Sequence, residues 1–577
     1  MQENLIHIHS HESDAELKLR PANVVMDLER LGTLYPYPLS FMRSLLRRVM
    51  REKWEIVPVI FDLTPEGYGD AVYEITTPNA VYSYVIFAKD LDQNKRSDRV
   101  IAEDWDMTVT LCAGKVDTAR LDMLRANVPL QEMGRVDADC FVLSRANKSV
   151  RNYNYVVDAL SKGQQPDLGV MAKVGYLYRT TAVYGSGKFG MADWEKVRKT
   201  YTDFASPFAA EMFSCYLIRH FSLAQADWAA KHRAPETAAA MCDAIKRYVG
   251  IGNATGLGMA PYLINHPLLI ANWIEVRETA LARILEHRVP DAESLGHFEC
   301  YVLKAMQHLD EIATDNAAQN AINAQARAEI ESCLSWVKGH LTELTHWSIL
   351  TEYVQTHYKP ETQELINAIL TELYAEDIHD LEDRLNVVES YEMVPHMKLS
   401  KLSRQIEKHY DWALACDFDE TSTLGTFWYR SEEKQEPRLG RRYDEPGAEK
   451  EMMMCIARDV CQCYADLQKY IEEAGDLSAA RFAFSHPKHR YIIRRIQTMS
   501  ATRYGEIRAN LLHADVLPIH LLRCKLSFFG VGKFDPRSKM WVRNTMFQGA
   551  PLVSEIDTDK GDDWCFPIRP KLDEHAT

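Results

Sequence analysis

Four strand-like runs between residues 54 and 112 constrain the fold of this chain more than any other feature of it. Residues 54–63, 71–76, 81–89 and 107–112 are rich in the β-branched and aromatic side chains that suit a pleated surface. Thr77-Pro78-Asn79, between the second run and the third, reads as a hairpin turn. Links this short favour an antiparallel sheet, because parallel neighbours need a long crossover. Residues 141–143 are expected to add an edge strand. Just before the sheet, residues 39–51 carry an amphipathic helical pattern with many arginines on one side.

From about residue 152 apolar residues recur at three- and four-residue spacing, which predicts helices over 208–230, 267–286, 298–312, 321–358, 360–389 and 447–473. Pro235, Pro290, Pro360 and Pro395 fall where those helices start or stop. No fixed period repeats, so a regular solenoid is excluded. Residues 430–446 read as an exposed charged loop. Residues 517–551 return to strand-like composition, with Gly530, Gly532 and Gly549 at turns, and the chain after Asp557 is a polar tail. The expected fold class is α+β. Its parts are an antiparallel-rich N-terminal region (1–150), a large mostly α-helical body (151–515) and a short strand-containing C-terminal segment with its tail (516–577).

The composition, 46% hydrophobic and 26% charged over 577 residues, is ordinary globular usage and provides for a large core. A chain of this length suggests about two to four domains. The net charge of −15 argues against a nucleic-acid or anionic-membrane partner, since affinity for either comes largely from Lys and Arg. It leaves room for a local basic site that takes a small anion. The first twenty residues hold His7, His9 and His11 among polar neighbours and lack the apolar core of a signal peptide. No apolar run approaches the ~18–20 residues that span a bilayer. The twelve cysteines are scattered, and the close pair Cys461 and Cys463 has no second pair to complete a zinc knuckle. Reduced thiols in a cytoplasmic protein are the expectation. Homo-oligomerisation stays open.

Two glycine-rich runs carry the sharpest chemistry. Gly185-Ser186-Gly187-Lys188-Phe189-Gly190 matches G-x-G-x-x-G after a β-favouring run, 176–184, and before an expected helix. Such glycines let backbone amides approach a pyrophosphate at a helix N-terminus. A dinucleotide fold also needs a second parallel strand about twenty residues on, where this chain reads as helix instead. An anion-gripping loop with Lys188 supplying charge, or a plain turn, are the readings that remain. Gly250-Ile251-Gly252-Asn253-Ala254-Thr255-Gly256-Leu257-Gly258 lacks the Gly-Lys-Ser/Thr ending of a P-loop. Its glycine density implies unusual backbone angles or very close approach. Gly252, Asn253, Thr255 and Gly256 are its candidate ligand contacts, and Asn265 and His266 follow.

Asp417-Phe418-Asp419-Glu420-Thr421 has the D-x-D-x-T form after the apolar run 412–416. It resembles the first motif of haloacid-dehalogenase-like phosphohydrolases over these few residues alone. The resemblance implies Asp417 as nucleophile and Asp419 as general acid/base, with magnesium neutralising the phosphate. Ser485 and Gly561-Asp562-Asp563 would stand in for later motifs, and no third-motif lysine is evident. Separately, Glu343/His346 and Glu376/His379 are Glu-x-x-His pairs of the kind that bind two irons in helical bundles, with Glu299 and Glu311 available to complete a set. A solvated helix face explains these pairs more simply.

Basic residues gather at Arg430, Arg438, Arg441 and Arg442, and again at His486, His489, Arg490, Arg494 and Arg495. Arg suits carboxylate or phosphate, and His titrates near neutral pH. Pairing with the excess of Asp and Glu accounts for most of them. The functional expectation is an intracellular enzyme acting on a small anionic metabolite, carboxylate or phosphate. Arg179 and Arg490 with the glycine runs (Gly185, Ser186, Gly187, Gly190, Gly252, Asn253, Thr255, Gly256) are its ligand contacts, and His266, His486 and Lys188 its catalytic groups. A phosphohydrolase using Asp417 and Asp419, and a non-catalytic helical scaffold, are the alternatives. No metal and no particular cofactor follow from the sequence.

Overall fold

The computed structural model describes residues 14, 17–26, 30, 37–92, 104–180, 197, 199–206, 208–253, 267–312, 317–385, 390–415, 427–431, 437–440, 451–454, 456–506, 531–536, 542–558 and 564–571. It is an α+β fold, as its sequence leads one to expect. Strands β1 (Glu55–Leu63), β2 (Gly69–Thr76), β3 (Val81–Ala88), β4 (Met107–Ala113) and β5 (Cys140–Lys148) form an antiparallel meander. β6 (Tyr176–Thr180) and β7 (Gly250–Asn253) continue it. The other strands are β8 (Phe427–Ser431), β9 (Pro437–Gly440), β10 (Glu451–Met454), β11 (Val531–Pro536) and β12 (Val542–Met546). The main sheet has nine strands in the order β1-β2-β3-β4-β5-β6-β7-β12-β11, and β10-β8-β9 form a second, three-stranded sheet. One sheet therefore draws on the N-terminal region, the body and the C-terminal segment together.

The four early strands and the hairpin at Thr77 fall where the sequence put them. β5 differs. It is a nine-residue strand inside the sheet, paired to both β4 and β6, and not an edge. Its polar second half hid it: Ser144 Oγ meets Thr180 Oγ1 at 3.2 Å, and the Arg145 guanidinium lies 4.0 Å over the Trp105 ring. β1 is an edge strand and carries edge features, with Pro58 beside an irregularity in its pairing.

Helix α1 (Phe41–Arg51) is capped by Ser40, whose side chain accepts from the Arg43 amide. Its arginine side is partly interior: Arg43 is fully buried and donates to Glu372 at 2.6 and 2.8 Å, while Arg51 is exposed. α2 (Thr118–Asn127) covers one face of the sheet, packing Leu121 and Leu124 on Val72, Val85, Phe87, Cys112 and Cys140. α3 (Val150–Ser161) and the long α4 (Ala209–Arg233) cover the other face, and α4 is buried on nearly all sides.

The helical body comprises α5 (Pro267–His287), α6 (Ala292–Glu311), α7 (Ala317–Gly339), α8 (Trp347–His357) and α9 (Pro360–Leu373). The expected single helix over 321–358 is thus two, broken after Gly339 by turns at residues 340–346. The expected helix over 360–389 ends at Leu373 and continues as tighter 3₁₀ turns, Ala375–Leu385. α10 (Leu399–His409), α11 (Ile456–Ala474), α12 (Ala479–Ser485) and α13 (Arg490–Met499) pack together as a C-terminal helical unit.

Two extended segments bind these layers. Arg20 donates to Glu278 and to Glu364, each through two nitrogens at 2.7–3.0 Å. Burial alone would raise the Glu364 carboxyl, yet Arg20 beside it holds it near 2. Near the other end, fully buried Arg219 of α4 donates to the carbonyls of Lys246, Arg247, Val249, Ala550 and Pro551. It fastens the approach to β7 onto the C-terminal segment. Among the described residues no helix is long and apolar enough to cross a membrane.

Candidate functional site

β6 and β7 are the one parallel pair among the described strands of the main sheet. α4 lies between them in sequence, so β6, α4 and β7 form a crossover unit. Where the glycine fingerprint calls for a second parallel strand, about twenty residues on, the chain is helix, as expected; the parallel partner comes only at Gly250–Asn253, the start of the second glycine run. Gly250–Asn253 reads as loop in the sequence and is strand in the structure.

The register is Tyr176 opposite Gly250, Arg179 opposite Gly252 and Thr180 opposite Asn253. β12 adds Asn544 opposite Asn253 on the far side. Opposed residues project to the same face of a sheet. In backbone register Thr180 is thus paired with Asn253 and Asn253 with Asn544 where the parallel pair ends. Thr180 is fully buried and donates to the Arg145 carbonyl. Asn544 is fully buried as well, and among the described residues neither its Nδ2 nor its Oδ1 has a hydrogen-bond partner. An orphaned amide in the interior costs about 1–3 kcal/mol, which marks this position for explanation. Arg179 is half-buried and forms no ion pair among the described residues.

Gly250 and Gly252 are glycine for packing reasons. A Cβ on Gly252 would lie 2.6 Å from the Tyr176 ring, and one on Gly250 would lie 2.5 Å from the Met546 carbonyl and from Thr545 Cγ2. That is a reason for glycine at position 252 independent of any ligand. Asn253 is strand backbone at the end of β7.

The direction of α4 follows from its contacts. Ser214 Oγ meets Tyr84 Oη at 2.8 Å, while Gln225 accepts from Tyr178 Oη at 2.9 Å and donates to the Gly67 carbonyl at 2.6 Å. The helix therefore runs against β6, with its N-terminal turn on the side toward which β6 and β7 point. Ser214, Ile218 and Gln225 mark its sheet-facing side, and Glu211 falls on that side one turn earlier. Burial pushes the Glu211 carboxyl up to about 7, with no cation among the described residues beside it to bring it down. Glu211 and Asn544 have no signal in the sequence. A glutamate in a helix and an asparagine in a strand look the same whether buried or solvated.

Lys188, Gly185, Ser186, Gly187 and Gly190, and Thr255, Gly256 and His266, lie outside the described residues. The segments that hold them, 181–196 and 254–266, follow directly on Thr180 and Asn253. His486 and Arg490 are not among the residues the parallel pair brings together. They sit in the C-terminal helical unit, where the His486 ring lies 4.6 Å from Phe482 and the Arg490 guanidinium 5.7 Å over Phe484. Arg490 also donates to the Ala483 carbonyl. Asp466 nearby is held near 2 by hydrogen bonds from Lys488 and His489.

Asp417 and Asp419 also lie outside the described residues, and the run before them opens as helix, Asp411–Leu414. Glu343, His346, Glu376 and His379 are all exposed, Glu299 pairs with Lys338 and Glu311 with Arg569. Among the described residues no group of three or more His, Cys, Asp or Glu could hold a metal ion. A cleft of about 340 Å³ between α1, residues 202–209 and the 3₁₀ turns is lined by Arg48, Arg51, Glu52, Asp203, Glu382 and Asp383. Its charges pair with one another: Arg48 with Glu52 and Asp203, and Arg51 with Glu382. Asp203 further accepts from Thr77, Asn79 and Tyr82.

Comparison with known proteins finds no family that matches the chain, no similar curated protein and no similar solved structure.

Proposed function

We propose that the chain is an enzyme acting on a small anionic metabolite, a carboxylate or phosphate, on the side of the sheet where β6 and β7 end. The observation that carries this reading is the parallel β6–β7 pair, whose two strands end side by side at Thr180 and Asn253. In sheets with parallel strands, ligands bind beyond the carboxyl ends of those strands. Arg179 supplies the charge, with Lys188 as a second cation, and backbone amides of 185–190 and 254–258 supply donors. Glu211 takes the proton-transfer role that sequence alone gave to His266 and His486, because a carboxyl near 7 can both accept and donate at neutral pH. A cytoplasmic setting fits the free thiols.

The test is a thermal-shift panel of mono- and dicarboxylates, phosphate esters and, as opposite-sign controls, amines. The reading predicts that at least one anion raises the melting temperature, that no amine does, and that Arg179→Met removes the shift. No shift with any anion, or an equal shift in Arg179→Met, would sink it.

A further inference from the structure

Cys112 and Cys140 occupy opposed positions where β4 pairs with β5, beside the irregularity that follows Leu111. Cys112 is fully buried and Cys140 is 4% exposed. Both face the small core under α2, on the opposite side of the sheet from α4. Their side chains are hydrogen bonded to each other, and Cys112 Sγ also reaches the Ser83 carbonyl at 3.4 Å. Directly opposed residues on antiparallel strands have Cα atoms about 4.5–5.5 Å apart. A disulfide spans roughly 4.4–6.8 Å between Cα atoms, so the backbone already stands at bridging distance.

Two charged groups adjoin the pair. Arg120 donates to Asp137 at 2.7 and 3.0 Å and to the Ala113 carbonyl at 2.8 Å. Its guanidinium interacts electrostatically with both sulfurs. Cys140 is also hydrogen bonded to the Asp137 carboxylate. Thiols that serve packing alone need only apolar neighbours. This pair has a charged couple, Arg120 and Asp137, beside it.

We propose that Cys112 and Cys140 are a redox-active dithiol, which hydroperoxides oxidise reversibly to a cross-strand disulfide. Cys140, the sulfur nearer solvent, attacks as thiolate. The peroxide O–O bond breaks, Cys140 becomes a sulfenic acid, and the departing oxygen leaves as water with the thiol proton. Cys112 sulfur then attacks the Cys140 sulfur, the S–O bond breaks, and hydroxide leaves as a second water with the Cys112 proton. Two thiols and one hydrogen peroxide thus give one disulfide and two waters, with two electrons passing from sulfur to oxygen. The hydrogen bond with Cys140 and burial push the Cys112 thiol well up, so Cys112 does not make the first attack and gives up its proton only as the hydroxide leaves.

The test uses the full chain under native conditions with hydrogen peroxide, followed by denaturation, alkylation and peptide mapping. A cross-linked pair of peptides holding Cys112 and Cys140 is expected, with a mass loss of two hydrogens that dithiothreitol reverses. Cys140→Ser abolishes the cross-link, and Arg120→Leu slows its formation by about tenfold. Both cysteines alkylated after peroxide, or Cys140 oxidised to the sulfinic acid with no cross-link, overturns the proposal. An unchanged rate in Arg120→Leu overturns the role given to Arg120.

Discussion

Thr180 and Asn253 face each other across adjacent parallel strands, so the chain leaves both strands on the same side of the sheet. Fully buried Asn544 stands next to Asn253 on β12 with an amide that no described residue satisfies. α4 brings its first turn to the same side, with Glu211 facing the sheet.

Glu211 predicts a pH dependence with a definite sign. Its folded value of about 7 lies above the open-chain 4.5, so the folded state holds the proton more tightly. The stability this contributes is full below pH 4.5 and is lost as pH rises through 7. A gap of this size amounts to roughly 3 kcal/mol. Glu211→Gln should flatten urea midpoints measured from pH 5 to 8 and stabilise the protein most at pH 8, while turnover of the metabolite is lost. The same slope in the variant as in the wild type contradicts this.

Asn544→Leu separates a ligand role from a structural one. Replacing an unpaired buried amide with an apolar group of similar size should stabilise the unliganded protein by about 1–2 kcal/mol. The same variant should no longer respond to the anion that stabilises the wild type. A loss of stability of that size would instead mean that the amide has a partner within the protein.

Gly252→Ala should destabilise by about 1–3 kcal/mol, because the new methyl meets the Tyr176 ring. Adding Tyr176→Ala should then cost less than it does in the wild type, since the clash is gone. Thermal unfolding of the two single variants and the double variant checks this coupling, and strict additivity contradicts it.

Arg495 and Glu506 form a fully buried bidentate pair at 2.7 and 2.6 Å. Removing one partner leaves a bare charge, so Glu506→Gln should cost about 3–5 kcal/mol in denaturant unfolding. Arg495→Met combined with Glu506→Leu should recover most of that. A double variant as unstable as the single one would show that the pair does more than neutralise itself.

The fold class was legible because its signals are local. The β-branched and aromatic run over 81–88 and the Pro-Asn turn at 78–79 need no tertiary context, and α4 and α5 lie within a few residues of their periodic patterns. What escaped is decided at long range. The second half of β5 is polar, and only the approach of Thr180 and Trp105 makes Ser144 and Arg145 interior residues. β7 is Gly-Ile-Gly-Asn, with almost no strand propensity, and becomes a strand because Tyr176 packs over its glycine. The site followed suit. Arg179 is a candidate by its charge beside a glycine motif, whereas Glu211 and Asn544 owe their interest entirely to burial.

The most direct measurement is hydrogen–deuterium exchange with and without the anion that most raises the melting temperature. A ligand held where β6 and β7 end should slow exchange in 181–196 and 254–266 together. Protection of only one of these segments, or protection confined to the helical unit around His486 and Arg490, would contradict a shared site at the end of the parallel pair.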